Sequence, residues 1–171
     1  MKWFLTLILF FCLAFVAIAD GIAGKEIRSG DILPTFSVQS NTGKTFSTST
    51  LNGKPALIVF FHTKCLDCKK ELPVIQEFYE EYGARIEFIA ISRAQSQADI
   101  EEFWQSNHLT IPYAAQEDKT IFKLFAKKTI PRVYLCDGTG EIQKTFKERF
   151  RKRSLQRAIN KILDEKSNII K

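Results

Sequence analysis

Two cysteines separated by two residues, Cys65 and Cys68, are the residues of this chain best suited to chemistry. They lie between the apolar run Ala56–Phe61 and a segment with helical spacing that begins at Leu66, so both thiols are predicted at a helix N-terminus. Such a terminus offers unpaired N–H groups and a partial positive charge, which favour a thiolate, the reactive form of cysteine. One sulfur could attack a disulfide and the other release the product, so the pattern predicts thiol–disulfide exchange.

A C-x-x-C pair can also bind zinc, and that alternative requires two further ligands, normally a second closely spaced pair. After the N-terminal apolar segment the chain offers only Cys136, His62 and His108, each singly placed. The sequence therefore predicts neither a metal site nor a cofactor. Cys136 lies on a predicted core strand and is interpreted as a buried apolar residue. His62, three residues before Cys65, either faces the pair or simply ends the strand.

The elements that position the pair are predicted from the hydrophobic pattern. The run Ala56–Phe61 is continuously apolar, as in strands that are buried on both faces of a parallel sheet. From Leu66 to Tyr82 apolar residues recur at helical spacing, and Gly83 is well placed to end the helix. Pro73 lies inside this helix and is expected to kink it unless the first turns are irregular.

The other segments complete a mixed pattern of strands and helices. A turn at Asn41–Lys44 predicts a hairpin early in the chain, and a Gly-rich turn at Asp137–Gly140 predicts another near its end. The order of elements predicts an α/β fold, with a central mixed β-sheet flanked by helices and an N-terminal β-hairpin extension. The remaining predicted elements are Ile32–Val38, Thr45–Ser47, Ile86–Ile91, Gln97–Ser106, Asp118–Ala126, Val133–Cys136, Glu141–Phe146 and Ser154–Glu165.

Residues 1–19 carry one early cation and then an uncharged apolar run that ends in the small-x-small pattern Ala17-Ile18-Ala19. This pattern predicts a cleavable secretory signal peptide, with a retained membrane anchor as the alternative. Cleavage would leave 152 residues, the size of one domain. We expect a flexible lead-in over residues 20–31, a folded domain over residues 32–171, and an exported protein in the periplasm or outside the cell.

The formal net charge of +6 is mild for a chain of 171 residues. It could steer anionic partners or aid solubility, and it does not by itself indicate nucleic acid, which an exported protein seldom meets. Three cysteines after the signal segment make one pair and one leftover, which argues against a dense disulfide framework. The sequence therefore predicts no nucleic-acid partner and a redox role for the pair.

Four separated segments share a family pattern. They are Ile32-Leu33-Pro34-Thr35-Phe36, Leu51-Asn52-Gly53-Lys54-Pro55, the strand leading into Cys65-Leu66-Asp67-Cys68-Lys69-Lys70-Glu71-Leu72-Pro73, and Ile130-Pro131-Arg132-Val133-Tyr134-Leu135 followed by Asp137-Gly138-Thr139-Gly140. With these segments the chain resembles the thioredoxin-like superfamily and, within it, the exported TlpA/ResA-type (redoxin) thiol–disulfide oxidoreductases. The likeness spans nearly the whole chain after the signal segment, and the strand–CxxC–helix context makes it more specific than a lone C-x-x-C.

The resemblance implies the thioredoxin fold and an enzyme that exchanges disulfides with protein substrates, with Cys65 as nucleophile and Cys68 as resolving thiol. It favours a reductase that receives electrons from a membrane thiol donor. In this family the late proline is cis and lies beside the disulfide, which assigns that role to Pro131. The backbone of Ile130 would then pair with an extended substrate segment, as an edge strand does.

Three positions around the pair depart from the family's usual pattern. Many relatives have an aromatic residue before the first cysteine, where this chain has Lys64, whose charge favours the thiolate of that cysteine. Many have proline before the second cysteine, where this chain has Asp67, whose negative charge disfavours a thiolate. The buried acid of classical thioredoxins falls on Val59, so Glu71, one turn after the second cysteine, is a candidate acid–base group, with a solvated surface glutamate as the alternative.

Two other functions stay open on the sequence alone. A thiol peroxidase of the peroxiredoxin type has a similar overall fold, but its pattern places threonine three residues before the reactive cysteine, whereas Thr63 is two residues before Cys65. A non-enzymatic binding module would hold partners at the sheet edge, with the C-x-x-C pair as a structural disulfide.

Overall fold

The computed structural model of this protein describes residues 26–169. The predicted signal peptide and the first half of the predicted lead-in, residues 20–25, lie outside these residues. The elements in the described part are β1 (Ser37–Gln39), β2 (Thr45–Ser47), β3 (Ala56–Phe61), α1 (Leu66–Tyr82), β4 (Glu87–Ser92), α2 (Gln97–Ser106), β5 (Tyr113–Ala114), α3 (Thr120–Phe125), β6 (Arg132–Cys136), β7 (Ile142–Lys147) and α4 (Lys152–Ile169). No helix among them is long and apolar enough to cross a membrane.

Five strands form one mixed sheet in the order β5-β4-β3-β6-β7. The pairs β3–β4 and β4–β5 are parallel, whereas β3–β6 and β6–β7 are antiparallel. β1 and β2 form a separate antiparallel hairpin. The predicted mixed sheet and N-terminal hairpin are therefore confirmed. β5 was not predicted, because a strand of two residues directly after Pro112 is too short to show an alternating pattern.

The central strand β3 is buried along its whole length, as its continuous apolar run predicts. Its last two side chains point to opposite faces of the sheet. Phe61 contacts Trp104 of α2 with ring centroids 4.8 Å apart, and Phe60 contacts Phe125 of α3 at the same distance. Phe36, just before β1, also packs on Phe125. Helix α2 therefore covers one face, and α3 with the N-terminal segment covers the other.

Helix α1 has the bounds that the apolar spacing predicts, and it continues through Pro73. Gly83 closes the helix by donating its N–H to the carbonyl of Tyr79, 2.8 Å away. Tyr82 in the last turn donates its hydroxyl to Asn160 of α4 over 3.1 Å, which connects the two helices. Helix α4 begins two residues before its predicted start and extends to Ile169, whereas α3 is shorter than predicted.

The segment before β1 is hydrogen-bonded to the sheet. Gly30 donates its N–H to the carbonyl of Ile142, and Ile142 donates in return to Asp31, both over 2.8 Å. Leu33 donates to the carbonyl of Gly140 over 2.9 Å, and Ile27 donates to Phe125 over 2.9 Å. The sequence predicted a flexible lead-in up to residue 31, but its described part is held against the first residues of β7 and the end of α3.

Two glycine turns meet at the end of the sheet where β3 begins. Gly53 lies in the turn before β3 and Gly138 in the turn between β6 and β7. A Cβ atom added to Gly138 would lie only 2.2 Å from the carbonyl oxygen of Gly53. The two turn motifs, 85 residues apart in the sequence, therefore touch backbone to backbone.

Candidate active site

Cys65 lies at the point where the chain leaves β3 and enters α1. Its backbone has φ −81° and ψ 121°, so it is the N-cap residue, and its Sγ accepts the N–H of Cys68 over 3.4 Å. The Cys65 thiol also donates to the carbonyl oxygen of Ile130, 3.6 Å away. The predicted helix start therefore provides the Cys65 sulfur with a backbone N–H, the group that stabilises a thiolate.

The two sulfurs of the pair have different access to solvent. Cys65 is partly exposed, whereas the side chain of Cys68 is completely buried. Burial raises the pKa of the Cys68 thiol far above its ordinary value, and the hydrogen bond with Cys65 raises it further. A disulfide in solution can therefore reach Cys65 and not Cys68.

The loop before β6 places a backbone carbonyl against Cys65. The Ile130–Pro131 peptide bond is cis. The carbonyl of Pro131 accepts the N–H of Glu148 from the end of β7 over 2.9 Å, so its backbone is already paired. The carbonyl of Ile130 instead faces the Cys65 thiol. The structure thus brings together Cys65, Ile130 and Pro131, three of the predicted site residues.

Arg132, directly after the proline, holds this loop in place. Its guanidinium donates to the carbonyl oxygens of Thr129 and Lys128, at 3.3 and 3.2 Å, and pairs with Glu26 at 2.7 Å. Thr129 has φ +65°, a left-handed conformation that is costly for a β-branched residue. Arg132 is buried and stabilises this conformation from inside the fold. No local pattern indicated its role, because its carboxylate partner lies 106 residues away in the chain.

Replacing Arg132 with methionine should lower the free energy of unfolding by about 2 kcal/mol, since two carbonyl groups and Glu26 would lose their charged donor. Chemical denaturation measures the change. Glu87→Gln, which removes the partly exposed Lys54–Glu87 pair, is the matched control and should cost less than about 1 kcal/mol. Equal losses in both variants would contradict the structural role of Arg132.

Glu71 is buried, so the alternative of a solvated surface glutamate is wrong. Burial raises the pKa of its carboxyl group, while Arg149 and the backbone N–H of Phe150 oppose that rise. Arg149 also pairs with Asp67 over 3.1 Å. The loop between β7 and α4 therefore lies against the first turns of α1 and supplies a cation to both carboxylates.

Lys64 and His62 precede Cys65 and differ in their contacts. The side chain of Lys64 is exposed, and its backbone N–H donates to Nδ1 of His62 over 3.1 Å. Burial lowers the pKa of His62, with further lowering by Arg93 and Lys64. His62 therefore favours the neutral form and acts as a local hydrogen-bond acceptor at the end of β3.

The remaining candidate ligands lie away from the pair. Cys136 ends β6 opposite Ala56, at the other end of β3, and donates its thiol to the carbonyl of Ala56 over 3.5 Å. Burial raises the pKa of Cys136 to about 12. His108 is exposed, just after α2. Among the described residues, no group of three or more His, Cys, Asp or Glu is placed to hold a metal ion.

Comparison with known proteins agrees with this geometry. Residues 29–145 match the profile of the AhpC/TSA family. The thiol–disulfide oxidoreductase ResA of Bacillus subtilis (strain 168) is 27% identical over 124 residues, which cover 71% of this chain and 69% of that protein.

Solved structures show the same architecture. The crystal structure of StoA from Bacillus subtilis has a TM-score of 0.65 at 26% identity, covering 74% of this chain and 96% of that chain. The thioredoxin domain of a thiol–disulfide oxidoreductase from Bacteroides vulgatus has a TM-score of 0.69 at 18% identity, covering 80% and 98%, a likeness of fold alone. The predicted thioredoxin fold is thus confirmed.

Proposed function

The chain belongs to the AhpC/TSA family, and we propose that it is an exported thiol–disulfide oxidoreductase that reduces disulfides in proteins. One observation carries the proposal: an accessible Cys65 sulfur at a helix N-terminus lies beside the carbonyl of Ile130, with the Cys68 sulfur buried behind it. The relative ResA is itself named a thiol–disulfide oxidoreductase.

In the proposed reaction the Cys65 thiolate attacks one sulfur of a substrate disulfide. The substrate S–S bond breaks, a mixed disulfide with Cys65 forms, and the other substrate sulfur leaves as a thiolate. Cys68 then loses its proton and attacks Cys65, which releases the second substrate thiol. The substrate gains two electrons and the enzyme is left with a Cys65–Cys68 disulfide, which a dithiol donor must reduce again. We propose a membrane thiol carrier as that donor.

Four further residues support this reaction in our proposal. Ile130 and Pro131 hold an extended substrate segment, with the carbonyl of Ile130 as a backbone acceptor beside the reacting sulfurs. Glu71 lies one helical turn after Cys68 on the same face, and its raised pKa suits a group that accepts the Cys68 proton. Lys64 contributes positive charge next to the Cys65 thiolate.

The proposed location rests on residues 1–19, whose pattern is that of a secretory signal peptide. The domain that follows, residues 32–171, would then act in the periplasm or outside the cell, or at the membrane surface if the segment is retained as an anchor. A disulfide-exchanging protein is useful in these compartments because disulfides persist there.

A thiol peroxidase is the nearest alternative, and the contacts of Thr63 disfavour it. Thr63 is buried, its N–H donates to Gln95 Oε1 over 3.0 Å, and its hydroxyl accepts the side-chain amide of the same glutamine. The hydroxyl is therefore engaged away from Cys65 and is poorly placed to bind a peroxide there.

The function is tested by substituting Cys68 with serine and incubating the variant with oxidised protein substrates. We expect mixed disulfides through Cys65 to accumulate, because the buried resolving thiol is gone. Non-reducing electrophoresis detects them, and added dithiothreitol should release the substrate. No trapped species would favour the binding module, and rapid thiol-dependent consumption of peroxide by the unmodified protein would favour the peroxidase.

The direction of exchange is a separate measurement. Equilibration with redox buffers of known composition gives the reduction potential of the Cys65–Cys68 couple. A potential near that of thioredoxin, about −270 mV, supports a reductase, and one near about −120 mV would indicate a disulfide donor instead.

A further inference from the structure

Positive charge is concentrated around Cys65. Two basic segments, one at the start of α1 and one before the cis proline, are brought together by the 3.6 Å contact between Cys65 Sγ and the carbonyl of Ile130. Their exposed lysines, here called the cationic rim, are Lys64, Lys69, Lys70, Lys127 and Lys128. None of the five forms an ion pair with another described residue.

The carboxylates nearest to the cationic rim do not cancel its charge. Asp67 is paired with Arg149 and Glu26 with Arg132. Glu71 is buried. Three exposed acids also lie near the pair: Glu148 donates its backbone N–H to the carbonyl of Pro131, the carbonyl of Asp118 accepts the N–H of Ala94, and the charge of Asp99 acts on His62. The five lysines of the rim and Arg93 outnumber these acids, so the charge around the reactive sulfur is positive.

Arg93, at the end of β4, adds a cation with an unused hydrogen-bond donor. Its guanidinium lies over the ring of Phe122, 5.3 Å from the centroid. Its Nε atom is buried and has no hydrogen-bond partner among the described residues. A buried donor without an acceptor is rare in folded proteins and marks a place where a further acceptor would be favourable. Its backbone N–H donates to the carbonyl of Phe61 over 2.9 Å, at the end of the strand that leads to Cys65, and its charge acts on His62 and Cys68.

We propose that the cationic rim selects disulfides in acidic protein segments, with substrate carboxylates on either side of the cystine. This inference rests on the proposed exchange activity and adds the substrate class to it. Arg93 is the innermost contact for such a carboxylate. Leu66 lies between the two cysteines and is 73% exposed, so it offers an apolar surface to the residue next to the substrate cystine.

Electrostatic attraction sets the size of the effect. Clustered charges of one sign raise the association rate of an oppositely charged partner by about 10- to 1000-fold at low salt, and the gain falls steeply as salt increases. The exchange step itself is unchanged: Cys65 still attacks the substrate S–S bond, and Cys68 still releases the second thiol. The preference should therefore appear in kcat/KM and in its dependence on salt.

Three synthetic peptides test the proposal, each with one intramolecular disulfide loop flanked by glutamates, glutamines or lysines and otherwise identical. Their reduction by the purified protein is followed at low and high ionic strength with dithiothreitol as the recycling reductant, and the background rate is subtracted. We expect kcat/KM at low salt to be at least about tenfold higher for the glutamate peptide than for the lysine peptide. The ratio should fall below about twofold near 1 M salt.

Two charge-reversal variants locate the effect. Lys127→Glu combined with Lys128→Glu should reduce the ratio of glutamate-peptide to lysine-peptide rates by about fivefold or more. Lys44→Glu combined with Lys144→Glu changes the net charge equally at two exposed lysines outside the rim, and should leave the ratio within about twofold.

The outcomes separate this inference from the proposed function. Equal kcat/KM for the three peptides, or an equal loss of preference in both charge-reversal variants, would overturn the substrate preference while leaving exchange intact. Failure to reduce even the glutamine peptide would instead overturn the exchange activity.

Discussion

Replacing Cys65 with serine is expected to reduce the rate of protein-disulfide reduction by a factor on the order of 1000 or more. Two causes combine: serine is a poor nucleophile toward disulfides, and the other described thiols cannot be reached from solvent. A serine hydroxyl does not attack disulfides, and the two other described thiols, Cys68 and Cys136, are completely buried. The rate is measured with a disulfide-containing protein and dithiothreitol, with the uncatalysed background subtracted.

Cys136→Ala is the matched control for this prediction. It also removes one thiol, but at the far end of β3 from the pair, so the exchange rate should stay within about twofold of the unmodified protein. Retention of more than a tenth of the activity by Cys65→Ser would show that another sulfur carries the attack. A large loss in Cys136→Ala would assign Cys136 a redox role.

Replacing Gly138 with alanine is expected to destabilise the fold by about 3 kcal/mol or more. The new Cβ atom would lie 2.2 Å from the carbonyl oxygen of Gly53. Because this neighbour is backbone rather than the end of a flexible side chain, one of the two turns must move. The midpoint and slope of chemical denaturation give the change in the free energy of unfolding.

Gly43→Ala separates steric overlap from backbone conformation. Gly43 has φ +78°, and an added Cβ atom there meets no heavy atom within 4 Å, so its cost of about 1 kcal/mol is conformational only. Gly138 has no such positive φ, so its cost comes from the contact with Gly53. A Gly138→Ala variant no less stable than Gly43→Ala would contradict the close approach of the two turns.

The fold was predictable wherever a local pattern was long enough. Strand β3 shows six apolar residues in a row, and α1 shows 17 residues of helical spacing closed by Gly83, so both were predicted with the correct bounds. Strand β5 was not predicted, because two residues are too few to show the alternation of apolar and polar residues that is typical of a strand. The hydrogen bonds of the lead-in were missed because a polar, Gly-containing segment has no apolar pattern, and only the edge of β7 gives its backbone partners.

The two cysteines of the candidate site could be predicted from the sequence. The ion pairs and the burial that hold the site together could not. The C-x-x-C spacing and the late proline are local motifs, and the structure places them together. The ion pairs Arg149–Asp67 and Arg132–Glu26 join residues 82 and 106 positions apart, so no spacing rule could relate them. The burial of Glu71 also depends on a distant segment, the loop around Phe150, which packs over the start of α1.

The lead-in has a consequence for how the N-terminus can be processed. Strand β7 is the last strand of the sheet. Gly30 and Asp31 pair with the backbone of its first residue, Ile142, and Leu33 donates to Gly140 in the preceding turn. An uncovered outer strand is a template for pairing with another molecule. Removal of residues up to Leu33 would therefore uncover the backbone of Ile142 and give another chain a place to pair with β7.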